Sequence, residues 1–233
     1  MKLQKKALII LFFIFSLESI AQTYISFHSD LGSTQSSEGI YLKSSIQGQY
    51  EYKKYILSTG IENSIIGANP KFISGVFVNA GRKFQLKSSP IKLYAFYLWN
   101  NPGEFIREHN CGVIGDVYLK RFNVKIGTHF RTLYYKGLLS SSLHENWNIL
   151  YDFNYNIKKE TKPWNAGIGI TNIDFFLLNQ ETNPNFYLKG TYNIKNQLSV
   201  FIENRYKSSG SLNASVHYYG FFVRTGIKWL IEN

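Results

Sequence analysis

Ionisable and hydrogen-bonding side chains recur in this chain at every second position, on stretches whose intervening positions are apolar or aromatic. Lys43, Gln47, Gln49 and Glu51 alternate with Leu42, Ile46, Tyr50 and Tyr52, and Asn123, Lys125, Gly127, His129 and Arg131 alternate with Phe122, Val124, Ile126 and Phe130. Successive side chains of a β-strand point to opposite faces, so each stretch gathers its charges on one face. The same alternation puts Lys92, Asp116, Asp152, Lys189, Glu203, Arg205, Arg224 and Lys228 on that face as well. With Lys83 included and His129 left aside, nine cations stand against four carboxylates. Two kinds of chemistry suit such a lining. The charges pair and hydrate a narrow polar interior, or their positive excess concentrates anions in a small pore.

Nucleophilic catalysis is less well served. The histidines are His28, His109, His129, His144 and His217. His28 and Ser29 are adjacent, which on a strand sends them to opposite faces and spoils a Ser–His couple. Ser140, Ser141 and Ser142 beside His144 and Glu145 form a more plausible surface cluster, although serine-rich segments are ordinarily solvated turns. His129 facing Glu203 across a narrow interior would be a base with its orienting carboxylate. No HExxH, calcium-loop spacing or paired cysteine occurs, so no metal and no cofactor is implied. The single cysteine, Cys111, excludes an internal disulfide and is expected outward in the register of Val113, Val117 and Leu119, in a small buried apolar role.

The elements that carry these residues read as twelve strands. They run over about 24–31, 40–52, 55–66, 72–83, 91–99, 109–119, 122–134, 147–157, 164–178, 186–194, 197–207 and 217–231. Near Thr171 to Asp174 the apolar parity changes, which predicts a β-bulge or a strand boundary. Tight connections at Lys53-Lys54, Lys87 to Pro90, Lys120-Arg121, Lys158 to Pro163 and Lys195-Asn196 alternate with mostly longer ones. Short turns on one side and longer loops on the other, around strands with one apolar and one polar face, are the pattern of an antiparallel up-and-down transmembrane β-barrel. Trp99 and Trp147 fall at the loop ends of their strands and Trp164 and Trp229 at the turn ends, all on the apolar parity, as membrane-interface girdles require.

The chain begins with Lys2, Lys5 and Lys6, an apolar run from Ala7 to Leu17, and Ser19-Ile20-Ala21 before Gln22. This predicts a signal peptide over 1–21 and a single barrel domain over 22–233. Removing it takes three lysines and Glu18 from a formal charge of +11, leaving about +9. No apolar stretch elsewhere is long enough for a membrane helix. The scattered basic groups form no continuous stripe of the kind nucleic acid needs. A secreted soluble sandwich or enclosed barrel is the competing architecture, but only 18% of the residues are charged and the apolar face recurs on nearly every strand.

The signal, the strand rhythm and the closing Gly220-to-Trp229 stretch resemble the small outer-membrane β-barrel proteins of Gram-negative bacteria. The Ile20-Ala21-Gln22 region and the Tyr/Asn/Lys-rich composition resemble those of the Bacteroidota. The resemblance implies an outer-membrane location, contact with outer-membrane lipid and insertion by the assembly machinery. Where such proteins end at an aromatic residue, this chain continues past Trp229 to Asn233. Among twelve-strand barrels the outer-membrane phospholipases are the enzymatic comparison, and no serine, histidine and asparagine here share the outward surface they use. The functions left open are a structural barrel, a porin-like channel for small anionic solutes, a surface-binding barrel and a lipid-modifying hydrolase.

Overall fold

A computed structural model of the chain describes residues 22–33, 40–67, 70–86, 89–101, 106–135, 141–144, 147–157, 163–173, 184–207 and 220–232. The expected leader, most of the loops, and Ser140, Glu145 and His217 lie outside the described residues. So do the side chains of Ser141, Ser142 and His144, which leaves that Ser–His–Glu cluster outside the description.

The described strands are β1 (Gln22–Ser33), β2 (Ile40–Tyr52), β3 (Tyr55–Ile66), β4 (Lys71–Leu86), β5 (Ser89–Asn100), β6 (Ile106–Leu119), β7 (Phe122–Tyr135), β8 (Ser141–His144), β9 (Asn148–Ile157), β10 (Trp164–Thr171), β11 (Asn185–Lys195), β12 (Leu198–Lys207) and β13 (Phe221–Glu232). Apart from the short β8, each pairs antiparallel with its neighbours in chain order, and β1 pairs with β13 from Gln22–Glu232 to Gly32–Phe222, so the sheet closes on itself. The short β8 pairs with β7 over Thr132–Tyr135, and β9 pairs with the same strand over Phe122–His129. They share one lane, and the barrel has twelve. Closure matters because a membrane offers no partner to a free strand edge.

The twelve lanes are those the alternation predicts, with three boundaries corrected. The segment before Trp147, read as loop, contributes β8. The strand read as 164–178 ends at Thr171, and the parity change there marks a strand end. Asn172 accepts from the Tyr151 amide at 2.7 Å and donates to the Ile149 carbonyl at 2.8 Å. Its backbone amide still donates to the Tyr151 carbonyl at 3.0 Å, so the side chain extends the ladder past the strand end, and Ile173 turns into the interior at 6% exposure. Third, β6 starts at Ile106, earlier than the expected His109, which places Glu108 on the inner face.

The apolar faces point outward. Phe27, Ile46, Ile61, Leu93, Ile126, Ile168, Leu188, Ile202 and Ile227 are all exposed there, the arrangement of a barrel whose outer surface meets lipid. A soluble fold would enclose that face. Trp99, Trp147, Trp164 and Trp229 are on the outward parity at the predicted strand ends, and Cys111 is outward as expected but exposed on that face, not buried.

Two tight turns hold non-glycine residues in the left-handed region, Lys53 at φ 51° and Lys120 at φ 50°. An L-residue with a Cβ is disfavoured there by about 1–2 kcal/mol, and glycine is not. Lys120→Gly is expected to stabilise the folded barrel by about 0.5–1 kcal/mol net of the entropy glycine adds to the unfolded chain, as a shift to higher urea in reversible unfolding from lipid vesicles.

Candidate functional site

The inner face has two halves. Toward the loops it is filled. Phe77, Phe96, Leu98, Ile114, Leu150 and Ile173 form a buried apolar cluster inside the barrel. Around it Glu108 meets Arg131 at 3.2 Å and accepts from Asn110 at 2.9 Å, while Lys43 meets Glu62 at 2.9 Å. Toward the turns the interior opens into a cavity of about 580 Å³. Its walls include Tyr24, Gln47, Gln49, Asn79, Tyr118, Thr191, Ser199 and Phe201, and Phe77 and Tyr94 join it to the apolar cluster.

The structure places all twelve of the expected pore-lining residues on the inner face. Lys92, Asp116, Lys125, Lys189, Glu203, Arg205, Arg224 and Lys228 line the cavity. Lys43, His129 and Arg131 are buried on the loop side of it, and Asp152 stands between, paired with Lys125 at 3.1 Å and bonded by the Tyr187 hydroxyl at 2.8 Å. Most of the cations are partnered. Arg224 makes a two-pronged bond to Asp30, Nε to Oδ1 and Nη2 to Oδ2, both at 2.7 Å. Glu203 holds Arg205 closely and Lys189 at 3.6 Å. Glu51 holds Lys83 closely, Lys92 at 3.8 Å and Gln49 at 2.8 Å. Asp116 accepts from Asn123 at 2.5 Å and Tyr118 at 3.0 Å. Lys228 has its ammonium 4.4 Å from the Tyr24 ring centroid and no carboxylate among the described residues within pairing distance.

Two expectations change. The interior holds seven carboxylates among the described residues, because Asp30, Glu62 and Glu108 are buried there at 1%, 3% and 0% exposure. The nine cations therefore exceed them by two. Parity could have found all three, since Asp30 follows Ser26 and His28, Glu62 follows Ser58 and Gly60, and Glu108 precedes Asn110 and Gly112. Nor does His129 work with Glu203, whose oxygens are taken by Arg205 and Lys189. His129 is fully buried and neither ring nitrogen has a hydrogen-bond partner among the described residues. His28 and Ser29 face opposite ways as expected, but His28 meets Ser45 across the strand pair. The Ser45 hydroxyl lies 2.6 Å from Nε2 and 3.0 Å from Nδ1, against the ring edge between the two nitrogens and not along one lone pair, which is poor geometry for proton abstraction. Among the described residues no three of His, Cys, Asp or Glu stand together as a metal site needs.

No family model matches the chain, and no curated protein matches it by sequence. Solved structures do match in fold. The NanC porin superposes with a TM-score of 0.56 at 10% identity, over 89% of this chain and 98% of that one. The KdgM porin gives 0.53 at 10% identity over 88% and 98%. The translocator domain of the autotransporter NalP from Neisseria meningitidis gives 0.51 at 13% identity over 98% and 95%. At such identities the likeness concerns the fold, and it is the fold of outer-membrane barrels: this chain is a closed twelve-strand antiparallel β-barrel with the apolar outer face of a transmembrane barrel. Nothing in these matches singles out the Bacteroidota.

The Asp30–Arg224 pair joins the first strand to the last. Removing one member leaves the other charged and buried, which costs about 3–5 kcal/mol. Asp30→Ala is expected to lower the free energy of unfolding by an amount in that range, seen as a fall in the urea midpoint, while Lys228→Gln leaves the midpoint nearly unchanged. Equal, small effects would show that the seam is held by backbone pairing alone.

Proposed function

We propose that the barrel is a small, porin-like diffusion channel whose turn-side vestibule favours anionic solutes. The observation that carries this reading is the composition of the cavity wall, where six cations (Lys92, Lys125, Lys189, Arg205, Arg224 and Lys228) face two carboxylates, Asp116 and Glu203. In a space walled by protein of low dielectric, an excess of fixed positive charge raises the local concentration of anions. The arginines are committed to short ion pairs, so the selectivity resides in Lys92, Lys189 and Lys228, whose carboxylate contacts are long or absent. Assembly into the outer membrane by its insertion machinery follows from the barrel architecture.

One observation favours a second reading, a structural barrel with no through-path. The loop-side half of the interior is packed with the apolar cluster, and a solute must displace it to cross. Small interiors of this kind are filled by side chains in some barrels and open in others.

Planar-bilayer recording on the mature protein separates the two. Reproducible openings with anions more permeant than cations are expected, and neutralising Lys92, Lys189 and Lys228 together to glutamine should bring the permeability ratio to unity or below. A heat-modifiable, folded barrel that passes no current would overturn the channel and leave the structural reading.

A further inference from the structure

The outward surface of β5, β6 and β7 departs from the apolar pattern at its loop-side edge. Arg107 and His109 are two residues apart on β6 and both face outward, the alternate Glu108 and Asn110 being buried in the interior. Arg107 is exposed and has no hydrogen bond or ion pair with any described residue. Its register neighbour on β7 is Tyr134, and that of His109 on β5 is Trp99. The Tyr97 hydroxyl lies 2.7 Å from Nδ1 of His109, and the Tyr134 ring meets the imidazole edge-on with centroids 5.2 Å apart. Toward the turns the same faces continue as Val113, Leu93 and Ile126, all exposed and apolar.

We infer that Arg107 and His109 form a binding site for the phosphate of a membrane-lipid headgroup at the loop-side interface. The position selects the ligand. An apolar band runs below, a tryptophan marks the level where headgroups begin, and a guanidinium without a partner among the described residues sits at that level. Guanidinium matches two phosphate oxygens in one plane. In the tautomer whose Nδ1 accepts from the Tyr97 hydroxyl, the ring proton of His109 is on Nε2, which supplies a further donor on the same face. The aromatic contacts on both sides fix the ring, so little ordering cost remains at binding. The acyl chains of such a lipid then lie along Val113 and Leu93, which fits a lipid better than a free anion.

The test uses the mature chain refolded in neutral detergent, with unfolding followed by the gel shift of the heat-denatured barrel. Dioleoyl phosphatidic acid is expected to raise the midpoint by about 3–5 °C, as a ligand of the folded state does, and dioleoylglycerol, with the same chains and no phosphate, to do nothing. The double variant Arg107→Gln, His109→Gln should lose at least half of the gain, and Lys53→Gln, at the opposite edge, should keep all of it. Should the double variant fail to fold, His109→Gln and Arg107→Lys are compared with the parent for phosphatidic acid retained in native mass spectra, with a fall of fivefold or more expected for the first and a smaller fall for the second. Equal effects of the two lipids, or unchanged retention in the variants, would overturn the site. Glycerol phosphate acting as strongly as phosphatidic acid would show a free-anion site and overturn the lipid assignment.

Discussion

Closing the sheet at the β1–β13 seam is the constraint on which the rest depends. Within a bilayer every backbone N–H and C=O must be paired by the protein, and only a sheet without edges achieves this with strands. The seam joins segments almost two hundred residues apart, with Asp30 and Arg224 bonded across it at a separation of 194 positions. That pair also fixes the alignment. A two-residue slip between β1 and β13 would set Asp30 against Phe222 or Gly226 and Arg224 against His28 or Gly32, leaving both charges buried without each other. A one-residue slip would turn the inner charges toward lipid, at about 2–4 kcal/mol for each cation near the midplane.

The other inner charges extend the same logic from lane to lane. In register, Lys189 of β11 stands opposite Glu203 of β12, Glu203 opposite Arg224 of β13, Arg224 opposite Asp30 of β1, and Asp30 opposite Lys43 of β2. Across the barrel, Lys92 of β5, Asp116 of β6, Lys125 of β7 and Asp152 of β9 alternate likewise. Opposite charges on neighbouring strands favour the native register and like charges oppose the alternatives. The lining is therefore first a device for alignment. Anion preference, where it exists, comes from the surplus that alignment leaves over, which is why it falls to lysines near the turns and not to the paired arginines.

Twelve lanes were legible in the sequence because a membrane barrel writes its fold as strict alternation, and lipid enforces that alternation along nearly every strand. All of the expected lumen residues face inward for the same reason. The carboxylates Asp30, Glu62 and Glu108 were missed where the alternation is interrupted or the strand begins early. β1 is irregular, β3 shifts register near Glu62, and β6 starts before His109. The apolar filling was illegible for a deeper reason. Phe96, Leu98 and Ile114 sit on the inner parity between outward residues that are also apolar, so these stretches read as continuous hydrophobic runs, and local pattern does not say which half of a barrel is packed and which is hollow.

Charge alternation alone would leave a gap at β10, whose inner positions Asn165, Gly167, Gly169 and Thr171 carry none. The gap is bridged by an aromatic ring. Tyr187 of β11 crosses Gly169, where an added Cβ would lie 2.4 Å from the ring, and its hydroxyl reaches Asp152 on β9. Asn154 donates to that hydroxyl at 2.7 Å, so Asp152 is held from β7 by Lys125 and from β11 by Tyr187. Glycine at position 169 is thus a requirement of the polar network and not a weak point of the strand. Phe77 crosses Gly60 in the same way, with a Cβ there 2.4 Å from its ring, but it carries no hydroxyl and belongs to the apolar cluster. One geometry, a ring laid over a neighbouring glycine, therefore serves both halves of the interior. With a hydroxyl it ties the charged lining together, and without one it makes the floor on which the cavity ends.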